Sequence, residues 1–222
     1  YKDRKIGTFG EMSSVSTYFG HQFSTIEGGI VSTDDEQLYD LLLMLRSHGW
    51  GKDLDDATHQ GHIQKHNVDD FHAPFVFYEP GFNLRSTDLN AFIGIRQIDK
   101  MEWLIKRRFE NHTLYKKLFG DALRYQQYHP SSIVCSIHFG ALAKDTEERR
   151  KIVKGLEEHG VEIRIFSAGN LGLHPFWTGR YGKGSFPMAD RIHYSGFFLP
   201  NNPSLTPDDV AHIANIVLER IA

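Results

Sequence analysis

The sequence has 222 residues, of which 40% are hydrophobic, so it is long enough for one large domain or two modest ones. The formal charge of −3 gives no basic field for nucleic acid, and no apolar run approaches the roughly 18 residues needed to cross a bilayer. Neither nucleic acid nor a membrane is therefore expected as a partner. Cys135 is the single cysteine and cannot form an internal disulfide, and no secretory leader opens the sequence, so a cytoplasmic protein is expected.

Two short strands are predicted near the start of the chain, over 12–18 and 28–33, with a loop between them. Thr33 and Glu36 have the spacing of a capping box, which predicts that a helix begins there. That helix carries leucines at helical spacing and is expected to end at Gly49.

The hydrophobic periodicity is lost between residues 50 and 80, which predicts a long polar loop. Three histidines of this stretch lie close together in the sequence: His59, His62 and His66. They have neither a cysteine nor a closely spaced acidic partner, so no metal site is predicted. Thr87 then caps a predicted long helix that continues towards Phe119 and links two domains.

The remainder of the chain alternates strands and helices, which indicates an α/β fold. Strands are predicted over 133–139 and 161–166, and the helix between them begins at 145–148. A last helix has Thr206 as its predicted N-cap and Pro207 in its first turn.

The strongest functional signal is the run from Ser16 to Gly29. It reads Ser-Thr-Tyr-Phe-Gly-His-Gln-Phe-Ser-Thr-Ile-Glu-Gly-Gly, with His21 five residues after Ser16 and shortly before Glu27-Gly28-Gly29. A histidine considered alone is more often a loop residue with a satisfied hydrogen bond than a catalytic group. The surrounding residues favour the catalytic interpretation.

This run resembles the cofactor-lysine segment of the DegT/DnrJ/EryC1/StrS sugar aminotransferases, in which a lysine stands where this chain has His21. Only a primary amine can hold pyridoxal phosphate covalently, whereas an imidazole can move protons near neutral pH. The same replacement marks a branch of the family, the sugar 3-dehydratases, which use pyridoxamine phosphate held without a covalent bond. The resemblance therefore implies that His21 is a general acid/base and that the Ser16 hydroxyl contacts the cofactor phosphate. The family usually has glycine where Ile26 stands.

Two further segments resemble motifs of this family. The segment Arg46-Ser47-His48-Gly49-Trp50 resembles its Arg-x-His-Gly loop, and Gly81-Phe82-Asn83-Leu84-Arg85 resembles its Gly-Tyr-Asn-x-Arg segment. The resemblance implies that Asn83 reaches the cofactor phosphate of a neighbouring subunit in a homodimer, and that His48 and Arg85 bind substrate. By themselves these residues have plainer interpretations, a basic helix end and a turn asparagine.

A third segment, Glu162-Ile163-Arg164 followed by Ser167-Ala168-Gly169-Asn170, looks like the substrate-facing part of the dehydratase branch. The resemblance implies that Arg164 and Asn170 bind substrate. Without it, Arg164 is a surface arginine or a bidentate ligand of a phosphate or carboxylate.

The resemblance implies a fold-type I PLP-dependent transferase fold. On this interpretation, residues 1–105 are the C-terminal portion of the large domain and residues 106–222 are a small C-terminal α/β domain. The chain begins where the family has just completed the strand bearing the cofactor's aspartate, so the first part of the parent protein is expected upstream of Tyr1.

The function implied is pyridoxamine-phosphate-dependent dehydration at C3 of a nucleotide-linked 4-keto-6-deoxy sugar, in deoxysugar or surface polysaccharide biosynthesis. An amino acid such as glutamate would return the amine. A sister branch carries an iron-sulfur cluster on cysteines that follow the segment matching 46–53, and this chain has none there. Two alternatives stay open: a pyridoxal-phosphate-dependent aminotransferase that lacks the usual lysine, and a catalytically inactive fragment that serves as an assembly module.

Overall fold

A computed structural model describes residues 2–221. The chain forms two compact units, the first extending to Asp99 and the second beginning at Lys100. Both units combine helices with antiparallel strands, which confirms the predicted α/β class. The domain boundary expected at 105/106 stays a prediction.

The first unit contains a β-hairpin and a set of helices. Its elements are β1 (Met12–Ser16), β2 (Gly29–Thr33), α1 (Glu36–Arg46), α2 (Asp56–Lys65) and α3 (Asp88–Ile98), with short 3₁₀ turns at Ile6–Thr8 and Ala73–Phe75. The two strands are antiparallel, with Met12 opposite Thr33 and Ser16 opposite Gly29. The pairing brings the two ends of the His21 loop together.

The N-cap of α1 is Asp35, whose carboxylate accepts the N–H of Leu38 at 2.9 Å. The prediction that Thr33 caps this helix was wrong, because β2 extends through Thr33. The Thr33 hydroxyl instead accepts the N–H of Asp35 and donates to the carbonyl of Glu11. The helix ends at Arg46, before the glycine expected to stop it.

The prediction of one long loop between residues 50 and 80 was also wrong, because α2 lies within it. The carboxylate of Asp55 accepts the N–H groups of Ala57 and Thr58 and thereby begins the helix. The apolar residues of α2 are too few for a periodic pattern, so its N-cap is the sequence signal that could have located it.

Thr87 does cap α3, since its hydroxyl oxygen accepts the N–H of Asn90 at 3.3 Å. The single long helix predicted beyond it is two helices, because α3 ends at Ile98 and the next helix begins at Met101.

The second unit is built on a sheet with strand order β3-β4-β6-β5. Its elements are α4 (Met101–Phe119), β3 (Arg124–Tyr125), β4 (His138–Leu142), α5 (Thr146–Glu158), β5 (Arg164–Ile165), α6 (Pro175–Tyr181), α7 (Pro187–Ser195), β6 (Gly196–Pro200) and α8 (Pro207–Ile221). Thr206 caps α8, as predicted, and α5 begins where the sequence predicts a helix, with Asp145 as its N-cap. The strand predicted over 133–139 lies further along the chain, at β4, and the strand predicted over 161–166 is shortened to β5.

One face of this sheet carries the core. Phe139 and Ala141 of β4 and Phe197 and Leu199 of β6 are buried, and they alternate with residues on the opposite face. The core is completed from α4, α5 and α8 by Tyr115, Phe119, Ile152, Leu156, Val210, Ile213 and Val217.

Helix α4 also holds the chain that leaves β6. Arg108 donates to the carbonyl of Asn201 at 2.9 Å, Asn111 to that of Asn202 at 3.1 Å, and Tyr115 to that of Pro200 at 3.0 Å. These bonds satisfy carbonyls that the sheet leaves unpaired. Within residues 2–221, no helix is both long enough and apolar enough to span a bilayer.

The stability of the second unit should depend on the protonation of His112. This ring is buried against Tyr128 and Phe139, and burial, followed by the charge of Lys116, lowers its pKa from 6.5 to about 4. Because the pKa is lower in the folded state, the contribution of the neutral ring is fully present above pH 6.5 and is lost as the pH falls towards about 4.

We expect the free energy of unfolding to fall across this window, and to fall less steeply in the His112→Gln variant. Urea titrations at a series of pH values measure how the free energy of unfolding changes with pH in the wild-type protein and in the variant. Burial also lowers the pKa of His138, so part of the slope should persist in the variant. An equal pH dependence in the two proteins would contradict the conclusion that protonation of His112 destabilises the second unit.

Candidate functional site

The loop that carries His21 is closed at its base by hydrogen bonds between its two ends. The N–H of Thr17 donates to the carbonyl of Gly28 at 2.9 Å, and the N–H of Thr25 donates to the carbonyl of Thr17 at 2.8 Å. The hydroxyls of Thr17 and Thr25 are also hydrogen-bonded, at 2.6 Å, and Thr17 is buried. Residues 18–24 therefore project from a fixed base.

His21 is half-buried within this projecting segment. Its N–H donates to the carbonyl of Tyr18 at 3.0 Å, and its ring meets the Tyr18 ring edge-on with centroids 5.8 Å apart. Among residues 2–221, the imidazole nitrogens of His21 form no hydrogen bond. Both nitrogens are available to exchange protons with a bound molecule.

Ser16 is exposed at the end of β1, and its side-chain oxygen accepts the N–H of Tyr18 at 3.3 Å. This bond uses a lone pair, so the hydroxyl proton stays available for an anion such as a phosphate oxygen.

Gly28, at the other end of the loop, has φ +142°, and a Cβ there would lie 2.8 Å and 2.9 Å from the hydroxyl oxygens of Thr17 and Thr25. The first glycine of the Glu-Gly-Gly motif is therefore required by the contact between the two threonines.

Backbone hydrogen bonds hold the Arg46–Trp50 segment beside the segment 77–84. The N–H of His48 donates to the carbonyl of Phe82 at 2.6 Å, and the N–H of Leu84 donates to that of Arg46 at 2.9 Å. The structure therefore joins the segments that carry three of the predicted site residues: His48, Asn83 and Arg85. Arg85 Nε donates to Asn83 Oδ1 at 3.4 Å, so the amide and the guanidinium lie side by side.

An aromatic wall adjoins His48. Its ring lies 4.8 Å from that of Trp50, which is stacked on Phe77 at 5.6 Å and covered by the Lys52 ammonium at 4.3 Å. Arg46 forms an ion pair with Asp53 at 2.8 Å. The sequence motif pointed to His48, whereas Trp50 and Lys52 gave no separate functional signal.

In the second unit, Arg164 is exposed on the edge strand β5 and lies opposite Phe198 of β6. The ring of His138 is stacked on Phe198 with centroids 5.0 Å apart. Burial, and then the Arg164 charge, lower the pKa of His138. The face opposite the core therefore presents an imidazole, an aromatic ring and a guanidinium together.

Asn170 is 2% exposed, and both ends of its amide are used within the protein. Its Nδ2 donates to Asp190 at 2.6 Å, and its Oδ1 accepts the N–H of Gly172 at 2.8 Å. In this arrangement Asn170 orders the loop that follows Arg164, and its contact with substrate stays a prediction. Across residues 2–221, no three His, Cys, Asp or Glu side chains are arranged to hold a metal ion.

Known proteins resemble the chain along nearly its whole length. The family model described as "DegT/DnrJ/EryC1/StrS aminotransferase family" matches residues 1–218. The chain is 34% identical to GDP-4-keto-6-deoxy-D-mannose 3-dehydratase of Yersinia pseudotuberculosis, over 96% of the chain and 55% of that protein. It is 27% identical to GDP-perosamine synthase of Escherichia coli O157:H7, over 99% of the chain and 54% of that protein.

The chain also resembles the crystal structure of "GDP-4-keto-6-deoxymannose-3-dehydratase with a trapped PLP-glutamate geminal diamine", with a TM-score of 0.83 and 26% identity. The similarity covers 98% of this chain and 57% of that one. The chain thus spans about half the length of the curated relatives it matches.

Two glycines provide a matched test of how the His48 segment is held. Gly49 has φ +88°, and a Cβ there would overlap the carbonyl oxygen of Glu79, whereas a Cβ on Gly61 in α2 meets nothing within 4 Å. We expect Gly49→Ala to cost more than about 2 kcal/mol, because the strained backbone and the overlap act together. Gly61→Ala should instead stabilise by about 0.5–1 kcal/mol, since alanine is the better helix former. Urea unfolding of both variants measures the difference, and similar effects would contradict it.

Proposed function

We propose a function from one premise: the chain belongs to the DegT/DnrJ/EryC1/StrS aminotransferase family. The protein is a pyridoxamine-phosphate-dependent 3-dehydratase of a nucleotide-linked 4-keto-6-deoxy sugar. The observation that carries this proposal is an imidazole at position 21, where the family's amine would stand, whose nitrogens form no hydrogen bond with any described residue. An imidazole can transfer protons but cannot anchor the cofactor covalently.

The donor set of the first unit fits a cofactor held without a covalent bond. The exposed hydroxyl of Ser16 and the exposed amide of Asn83 are neutral donors of the kind that bind phosphate oxygens, Asn83 acting across a homodimer interface. Pyridoxamine phosphate, when bound, supplies an electron sink for loss of the C3 hydroxyl. The protein's own task is then to place the substrate and to move protons.

His21 would accept on a ring nitrogen the proton released from C4′ of pyridoxamine phosphate and would deliver it to the departing C3 hydroxyl, which would leave as water. His48 and Arg85, on segments joined by backbone hydrogen bonds, bind the nucleotide sugar, and Arg164 contributes a guanidinium that suits its diphosphate. Asn170 acts by ordering the loop that follows Arg164. Glutamate is proposed as the amine donor because a related structure contains a PLP–glutamate adduct.

The proposed substrate is GDP-4-keto-6-deoxy-D-mannose, which the Yersinia relative's name specifies. The product would be a 3,6-dideoxy sugar for a surface polysaccharide, made in the cytoplasm. The likeness to GDP-perosamine synthase favours a second candidate, an aminotransferase whose product is an amino sugar with every ring hydroxyl retained. The exposed Val15, Ile30 and Val31 of the hairpin favour a third, an assembly module that needs a partner.

The test incubates the protein with GDP-4-keto-6-deoxy-D-mannose, pyridoxamine phosphate and glutamate, and follows the product by mass spectrometry. Loss of one water from the sugar is expected. The His21→Asn variant should lower turnover by about 10²–10⁴-fold, since a general acid/base is removed.

His66→Asn is the matched control, because His66 is exposed at the end of α2 and should leave turnover unchanged. A wild-type protein that yields no dehydrated sugar would overturn the proposal, and an amino sugar that keeps its hydroxyls would establish the second candidate instead.

A further inference from the structure

Asn90, in the first turn of α3, is hydrogen-bonded to the returning limb of the His21 loop. Its Nδ2 donates to the carbonyl of Thr25 at 2.8 Å and to that of Glu27 at 3.2 Å. Its Oδ1 accepts the hydroxyl of Thr87 at 2.5 Å, and the Thr87 oxygen also accepts the Asn90 N–H. One side-chain amide thus joins two loop carbonyls to the N-cap of a helix.

These bonds belong to a packed contact between α3 and the loop. Gly94 is buried one turn further along the helix. A Cβ there would lie 3.1 Å from Thr25 Cγ2 and 3.6 Å from Phe23 Cζ. The helix surface and the loop are therefore in close contact beyond the Asn90 amide, and α3 provides a firm support for the loop.

The residue between the two bonded carbonyls has a strained backbone. Ile26 has φ +73°, in the left-handed region that a β-branched residue rarely adopts. Such a conformation persists only where the surrounding contacts determine it. The Thr25 carbonyl belongs to the peptide that precedes Ile26, and the Glu27 carbonyl lies one peptide beyond the one that follows it, where it also accepts the Thr25 hydroxyl at 2.9 Å. The Asn90 amide therefore holds the backbone on both sides of the strained residue.

We propose that Asn90 is a positioning residue for His21. Its hydrogen bonds to the carbonyls of Thr25 and Glu27, here called the clamp, hold Ile26 in a conformation that isoleucine resists. They thereby fix the C-terminal part of the loop that carries His21. The role of His21 in proton transfer rests on the proposed function, whereas the clamp does not. The strain at Ile26 predicts that glycine there makes the clamp less necessary.

Hydrogen–deuterium exchange of the peptides that cover 17–28 tests the clamp directly. In Asn90→Ala, exchange at the hydrogen-bonded amides of Thr17 and Thr25 should rise by about tenfold or more, because two hydrogen bonds are lost. Adding Ile26→Gly should return the exchange to within about threefold of wild type, because glycine reaches this φ without strain. Gln97→Ala, two turns further along α3, is the control and should leave the loop unchanged.

Unchanged exchange in Asn90→Ala would overturn the proposal, as would a double variant that exchanges as fast as Asn90→Ala. If Asn90→Ala does not fold, recovery of the fold in the double variant supports the clamp. Failure of both to fold would refute it, since the clamp acts on one loop and not on the whole unit.

Measurement of turnover is the second test of the proposal. The kcat for dehydration should fall about tenfold in Asn90→Ala with KM within about twofold, and Ile26→Gly should recover part of the loss, because misplacement of a proton-transfer group affects the chemical step. Equal losses in kcat and substrate affinity would argue for general disruption and against positioning. If the wild-type protein does not dehydrate the sugar, the proposed function fails while the exchange measurement still decides the role of Asn90.

Discussion

The hydrogen bond between the hydroxyls of Thr17 and Thr25 closes the base of the loop on which the proposed chemistry depends. Thr17 is buried, so the pair is shielded from competing water, and Gly28 must lack a Cβ for the two side chains to meet. The pairing of β1 with β2 sets the ends of the loop at a fixed separation. His21 is therefore carried by a short segment with a rigid support, although it lies in a loop.

An imidazole in place of an amine changes what the surrounding residues must do. A covalent anchor places a cofactor through one bond, whereas a cofactor held without such a bond relies on every donor around it. The exposed side chains of Ser16 and Asn83 are suited to that task. Among the described residues the same imidazole has no hydrogen-bond partner, so its nitrogens are open to a bound molecule.

The second unit is organised by different contacts. Polar side chains of α4, among them Arg108 and Tyr115, bind carbonyls of the chain that leaves β6, while the apolar residues of β4 and β6 form the core. The opposite face of the sheet is thereby left to His138, Phe198 and Arg164. Tertiary packing thus separates a face that forms the core from a face that carries polar and aromatic side chains.

Local hydrogen bonds explain which features could be predicted from the sequence. The caps at Thr87, Asp145 and Thr206 bond to amides three residues away, so the sequence pattern contains both partners. The sequence pattern did not predict α2, because that helix has few apolar residues to mark a face. It predicted the wrong N-cap for α1, because β2 extends through Thr33.

The amino-acid sequence by itself determined the family, the α/β class and the imidazole at position 21, since these depend on residue identity and short spacings. Tertiary structure alone decided that Asn90 holds the carbonyl of Thr25, a partner 65 residues away, and that Asn170 is buried with both ends of its amide bonded. The physical reason is that a hydrogen bond between distant segments requires both to be placed by packing, which no short pattern records.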